Sequence, residues 1–430
     1  MLRNRKSTDP SSSRPQADLR RPLLVGAVLL VAAWAFIAFT PVFSTWLFGD
    51  ARFYENWGGW LAAHLVPYRD FRVEYPPGAL PTFVAPVYLR KIFGYYSTYY
   101  FWLRVELLVF ALIGLAVMAV VLRGLGASRR RAYAALSVAG VAPAVLGPIA
   151  LFHYDYWPAM LAVGAVAALV ARRGVLACAL AAAGAAAKVY PVLLIPFALF
   201  ELWERGRWRS VAAGAGAALV VLATAFGPFV IVTPHGLWWA LHLEFVRPLE
   251  VESIGASFYA VAHLLAGVHL HVVLSSGGSH GFAGSAPKAV SSALGLVMLV
   301  VLAWIYAVYL RGRRTPEDLV TACAAVVAAY IVFSKVFSPQ YLLWLVVLVP
   351  LIGGRRGLRA SALLLVVLGV TQIFEPYRYP QYFHMSTAWL IWVVFVRNLL
   401  VIALLGVLAL PQPSERQAEG LDPARAAGLG

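Results

Sequence analysis

The sequence predicts an all-α, polytopic membrane protein with about 12 transmembrane helices and further helices in its outer-face loops. Three observations lead there. The chain of 430 residues is 61% hydrophobic and only 13% charged, with a mean hydropathy of +0.77. Soluble domains carry roughly twice that share of charge, and a soluble core of this length could hold only part of the apolar material. The apolar runs are long, rich in Leu, Ala and Val, and non-alternating. A transmembrane β-barrel would show short alternating segments instead. Basic residues gather in short clusters at the ends of those runs: Arg129–Arg131, Arg172–Arg173, Arg205/Arg207/Arg209, Arg311/Arg313/Arg314 and Arg355/Arg356/Arg359. That is the pattern of cytoplasmic loops between membrane helices.

The elements follow in order. Residues 1–20 are polar, basic and rich in Pro and Ser, and read as a disordered cytoplasmic tail. Residues 21–410 form the membrane domain, and residues 411–430 a second disordered cytoplasmic tail. The first apolar run is longer than a signal-peptide core and lacks a small-residue cleavage site, so it is a retained span. The predicted spans are 21–43, 98–122, 133–151, 156–171, 174–188, 189–204, 210–230, 286–310, 319–334, 340–352, 358–374 and 387–410. Residues 44–97 make the first outer loop; its apolar part, 78–89, holds prolines and lies flat on the surface or re-enters. The pair of spans around Lys188 is short enough to be broken or tilted. Residues 253–273 are apolar enough to enter the membrane, yet the flanking basic clusters require the chain to return to the outer side. Twelve spans place both termini in the cytoplasm of a plasma-membrane protein.

The formal net charge of +16 does not point to nucleic acid, because the positive charges sit at span ends where they set topology and meet anionic headgroups. Cys178 and Cys323 both lie in apolar stretches and suggest neither a disulfide framework nor a metal site. There is no HExxH motif, no phosphate-binding P-loop and no Rossmann glycine pattern. No cofactor is expected, and no divalent metal is indicated by any motif.

The predicted outer loops mix acids, histidines and aromatics, whereas the inner ones are short and Arg-rich. A polar site therefore belongs on the outer face. Asp50, just past the first span, is either a solvated helix cap or a general base able to take a proton from a sugar hydroxyl. Glu55 follows closely. Asp70 and Glu74 each have an arginine nearby to pair with, which makes them weaker candidates. In Phe71–Pro77, FRVEYPP, the two prolines make a rigid turn that would hold Glu74 or Tyr75 over a cavity. Asp155 and His153 would share a short turn. Lys188, before Tyr190, stands in a long apolar stretch: either it snorkels to headgroups or it binds phosphate. Lys335 repeats the pattern ahead of Ser338, Pro339 and Gln340, residues that mark a helix break. His242, Arg247, Glu250 and Glu252 are spaced wrongly for a metal; Arg247 suits a phosphate or sugar. The substrate-contacting candidates are Glu55, Glu74, Tyr75, Asp155, Lys188, Tyr190, His242, Arg247, Glu252, Lys335 and Gln340, with Asp50 as the catalytic candidate.

Five elements in this order resemble a known family: Asp50 beyond the first span, Tyr75-Pro76-Pro77, Lys188-x-Tyr190-Pro191, Arg247-x-Leu249-x-x-Glu252-Ser253, and Ser334-Lys335-x-x-Ser338-Pro339-Gln340-Tyr341-x-x-Trp344. The chain is similar over about 21–410 to the polyprenol-phosphate-mannose-dependent α-mannosyltransferases of glycosyltransferase family 87, of the GT-C membrane superfamily and actinobacterial type. The resemblance implies a GT-C-like fold and an inverting transfer of mannose from a polyprenyl-phosphate-mannose donor to a glycolipid or lipoglycan acceptor. It implies Asp50 as the base and Lys188, Arg247 and Lys335 as phosphate ligands, acting at the extracytoplasmic face of a monomer. Transfer of arabinofuranose or glucose from the same kind of lipid, or transport of a polyprenyl-linked lipid, are the competing readings. A transporter would be expected to show internal repeats and midplane charges, and no clear repeat is present.

Overall fold

A computed structural model of the chain describes residues 18–40, 49–94, 97–275 and 278–410. The expected disordered tails lie almost wholly outside the described residues, as does the end of the first predicted span.

The fold is helical, with one small sheet that the sequence reading did not anticipate. Seven helices among the described residues are long and apolar enough to cross a membrane: Arg20–Phe39, Tyr99–Gly124, Tyr190–Val232, Ser285–Arg311, Pro316–Phe333, Gly354–Phe374 and Ala388–Ala409. Shorter apolar helices occupy Tyr156–Val170, Gly174–Ala187, Ile254–Ala266 and Pro339–Leu351. The last is interrupted, running as two 3-10 turns around a short α-helix, because Pro339 and Pro350 each remove a backbone donor. Arg129–Leu146 fills a further predicted position. The Tyr190–Val232 stretch reverses at Arg207, whose φ of 51° lies outside helical space. Leu199 and Leu202 then pack against Gly214, twelve or more residues on, which a straight helix would hold far apart. The expected division into 189–204 and 210–230 thus corresponds to two arms meeting at the basic cluster.

The basic clusters do gather at one end of the bundle. Arg131 forms a forked pair with Glu317, with Nη2 to Oε2 at 2.8 Å, and also bonds the Leu351 carbonyl. Arg205 donates to the Arg172 carbonyl at 3.0 Å, and Arg314 pairs with Glu204. Pro316–Phe333 is the most enclosed of these seven helices, with 72% of its residues buried, and opens with a capping box between Thr315 and Asp318. Its small residues, Ala322 to Ala329 among them, let neighbouring helices approach closely.

At the opposite end the first loop folds into two helices, Ala51–Ala62 and Leu80–Phe93, packed on each other. Their backbones meet at Gly58, where any β-carbon would stand 2.0 Å from the Phe83 carbonyl oxygen. The ambiguous segment 253–273 begins and ends on one sheet. Helix Ile254–Ala266 starts at Ser253, directly after strand Leu249–Glu250, and its continuation Val272–Leu274 pairs antiparallel with His280–Phe282. The central strand joins both others, with Phe282 opposite Leu249 and Val272. The chain therefore leaves and re-enters the same end of the bundle.

Candidate functional site

Asp50 is the residue before helix Ala51–Ala62, and its carbonyl accepts the first turn's N–H groups from Phe53 and Tyr54 at 2.9 and 3.2 Å. Its carboxylate makes no capping bond. It accepts instead from the Tyr75 hydroxyl at 3.2 Å and lies 3.7 Å from His153 Nε2. Both contacts fall on Oδ2, and the side chain is 36% exposed. His153 Nδ1 faces the Ile149 carbonyl at 2.9 Å. A carbonyl only accepts, so Nδ1 carries a proton and the ring presents Nε2 to Asp50.

Tyr75 is held by the rigid turn that its prolines make. Tyr68, with a positive φ of 67°, donates its hydroxyl to the Tyr75 carbonyl at 2.7 Å. Gly78 presses on the end of helix Gly174–Ala187, where a β-carbon would stand 2.6 Å from the Ala186 carbonyl. Trp157 Nε1 donates to the Gly78 carbonyl at 3.0 Å. This clamp sets the turn beside Lys188, the residue that follows that helix.

Lys188 is neither solvated nor snorkelling. Its Nζ donates to Asp155 Oδ1 at 2.8 Å, and Trp344 Nε1 donates to the same oxygen at 2.8 Å. The ammonium also faces the rings of Tyr341, Tyr154, Trp344 and Tyr75 at 4.7, 5.0, 5.4 and 5.8 Å. Each such contact contributes about 0.5–2 kcal/mol, more when desolvated. Tyr190 closes the stack against Trp344, with ring centroids 3.9 Å apart. Asp155 is fully buried. It reaches the site through Lys188 and Trp344. Tyr75 therefore touches Asp50 with its hydroxyl and Lys188 with its face.

Arg247 follows helix Pro234–Val246, with Nη1 on Glu244 at 3.1 Å and Nη2 on Ser279 at 2.9 Å. Its Nε is buried with no partner among the described residues. Glu74 does not pair with Arg72, which stacks over Trp239 at 4.8 Å. Burial pushes the Glu74 carboxyl up to about 7; Arg247 opposes the rise, and Asp50 and Glu244 add to it. Asp70 is bound by Arg69 and by the Val66 N–H, which hold it down to about 2.

The remaining candidates are placed less centrally. Lys335 Nζ donates to the carbonyls of Phe245 and Arg247 at 2.8 and 3.1 Å, capping the end of helix Pro234–Val246. Glu250 accepts from the Phe337 N–H at 2.6 Å and from Ser338 at 3.3 Å, fixing the break after Lys335. Gln340 is buried in the 3-10 turn Pro339–Tyr341. Glu55 accepts from Tyr100 at 2.5 Å, and His242 is exposed and stacked on Trp238. Glu252 lies near Glu375 and Arg397. Burial and then the facing Glu375 raise the Glu252 carboxyl, and burial raises Glu375 against the pull of Arg397.

His153, Tyr341 and Trp344 were named from the sequence without a site role of their own, and Glu375, Arg397 and Asn398 were not among the site candidates. Two signals were readable: the HYDY run at His153–Tyr156, and an Arg-Asn pair in the middle of the last apolar span. Among the described residues no group of three or more His, Cys, Asp or Glu side chains is arranged to hold a metal ion.

No protein-family model matches the chain, and no curated protein matches it. Among solved structures, ArnT from Cupriavidus metallidurans bound to undecaprenyl phosphate is similar over 95% of this chain and 80% of its own. The identity is 14% and the TM-score 0.49, and the likeness does not extend to individual residues.

Proposed function

We propose that the protein is a polyprenyl-phosphate-sugar-dependent glycosyltransferase of GT-C type, moving mannose with inversion onto a glycolipid or lipoglycan hydroxyl at the extracytoplasmic face. The observation that carries this reading is the arrangement around Tyr75: a part-exposed carboxylate, Asp50, on its hydroxyl and a buried cation, Lys188, on its face. The five matching sequence elements supply the donor class and the sugar.

In the reaction the acceptor hydroxyl gives its proton to Asp50 as its oxygen bonds to the anomeric carbon. The bond from that carbon to the phosphate oxygen breaks, and the electron pair leaves with the polyprenyl phosphate. Tyr75 fixes the Asp50 carboxylate by donating to Oδ2. Arg247, with an unused buried Nε, faces the growing phosphate charge, and Lys188 adds positive potential from inside its aromatic box. A phosphate leaving group held this way needs no acid. Lys335, engaged by two carbonyls, contributes through the position of Arg247 as much as by its charge.

The test is a donor panel with the purified protein: polyprenyl phosphates carrying mannose, glucose or arabinofuranose, each with a glycolipid acceptor. Transfer from the mannosyl lipid, abolished in Asp50→Asn, is expected. Transfer of glucose or arabinofuranose alone would correct the sugar. No transfer from any donor, with movement of the lipid across vesicles, would return the protein to the transporter class.

A further inference from the structure

Glu252, Glu375, Arg397 and Asn398 form a second polar cluster that the transfer reaction above does not use. Arg397 and Asn398 stand mid-way along helix Ala388–Ala409 and are fully buried. Arg397 Nη2 donates to the Glu252 carbonyl at 3.0 Å, and Asn398 Nδ2 donates to the carbonyls of Glu252 and Ser253, both at 3.2 Å. These bonds pin the turn between strand Leu249–Glu250 and helix Ile254–Ala266. They satisfy only part of the set. Arg397 Nε and Nη1, Asn398 Oδ1, Glu252 Oε1 and Glu375 Oε2 are all buried without a hydrogen-bond partner among the described residues. Arg397 acts electrostatically on both carboxylates, yet the three do not close into ion pairs. Its guanidinium carbon lies over the Phe337 ring at 4.0 Å from the centroid and over the Phe374 ring at 5.3 Å.

Each orphaned buried group costs about 1–3 kcal/mol, and more when charged, so such a set is normally filled by a polar guest. The inventory selects the guest. Two nitrogens need acceptors, the Asn398 oxygen needs a donor, and each carboxyl oxygen needs a partner. A phosphate only accepts and would leave Asn398 Oδ1 without a donor. A cation only attracts oxygens and would face the guanidinium. Hydroxyl groups both donate and accept, and a diol supplies two of each. A β-carbon at Gly278 would stand 3.7 Å from the Phe53 ring, three residues past Asp50, and the His280 carbonyl two residues on accepts from the Val251 N–H at 3.0 Å, so one loop joins the cluster to the transfer site.

We propose that Glu252, Glu375, Arg397 and Asn398 form a subsite for a pair of hydroxyls on a sugar ring bound beside Asp50. The proposal rests on the glycosyltransferase reading and adds the residues that recognise the sugar. The subsite is closed in this conformation, with Glu252 only 3% exposed. Helix Tyr379–Phe383 is tied to the turn beside it by the Tyr382 hydroxyl on the Val251 carbonyl at 2.6 Å. Sugar binding requires the cluster to open.

The experiment measures binding of methyl α-D-mannopyranoside to the full chain in lipid nanodiscs by saturation-transfer NMR, with cyclohexanol as a single-hydroxyl control. Binding of the glycoside but not of cyclohexanol is expected. Glu375→Gln and Asn398→Ala should each weaken it by about 10–100-fold. Thermal unfolding of each variant separates lost binding from lost fold. Undiminished binding in both folded subsite variants would mean that the cluster holds water only, and would overturn the proposal. Absence of glycoside binding to the unaltered protein would overturn it too, while leaving transfer from a lipid-linked donor to be judged by its own assay. Conversely, Glu375-dependent binding in a protein that transfers nothing would retain the subsite and remove the transferase reading.

Discussion

The Lys188 ammonium donates to Asp155 Oδ1 at 2.8 Å, and the same oxygen accepts from Trp344. Three chain segments, 153–156, 188–191 and 339–344, meet at that single atom. A buried charge pair is not by itself a strong stabiliser, because desolvation offsets most of the attraction. Its function here is geometric. It holds the lysine at a fixed place among Tyr75, Tyr154, Tyr341 and Trp344.

Removing one partner of that pair is expected to be costly. Lys188→Met or Asp155→Asn should each destabilise the protein by about 3–5 kcal/mol by leaving a buried charge unpaired. The double variant should be less destabilised than the sum of the two. Thermal or denaturant unfolding in one detergent gives the cycle. Strict additivity would show that the pair is not coupled.

Asp50→Asn should keep the fold, because its backbone caps the helix while its side chain does not. Turnover should fall by about 10²–10⁴-fold, with donor affinity nearly unchanged. If Asp50→Asn turns over normally while Glu55→Gln or Glu74→Gln is inactive, the base has been misassigned.

Glu74 makes stability depend on pH. Its folded value, about 7, lies above the 4.5 of an unperturbed glutamate. The neutral form is thus favoured in the fold, and its contribution is complete below pH 4.5 and lost as pH rises through about 7. Glu74→Gln removes this loss. The variant should be more stable than the parent above pH 7 by on the order of 2 kcal/mol, seen as a higher unfolding temperature, with the gain shrinking toward pH 5. A pH-independent difference would contradict the assignment.

Arg247→Ala should weaken binding of a polyprenyl phosphate and lower turnover, whereas Lys335→Ala should act less on affinity because its ammonium already serves two carbonyls. An uncharged polyprenol is the control. If the parent protein holds both lipids equally, neither residue serves a phosphate.

Single-cysteine labelling gives the orientation. Positions near Arg130, Arg207 and Arg313 should react from the cytoplasm, and positions near Asp50, Arg247 and Gln340 from outside. Labelling of Asp50 neighbours from the cytoplasm would defeat the extracytoplasmic reading.

The sequence alone determined the helical class, most helix positions and the polar end of the chain. Those properties rest on local composition: long apolar runs admit only helices, and Arg clusters and prolines mark where they stop. The reversal at Arg207 was legible for that reason. Asp50, Tyr75, Lys188 and Arg247 were legible too, since charge or a proline turn beside hydrocarbon stands out along a chain. The tertiary structure alone decided which partner each polar group takes. Asp155 went to Lys188, Lys335 went to a helix end, and Arg72 went to Trp239 rather than to Glu74. It also gathered Glu252, Glu375, Arg397 and Asn398 from three distant segments. Hydrogen bonds and ion pairs act over a few ångströms and are indifferent to separation along the chain, so no sequence spacing encodes them.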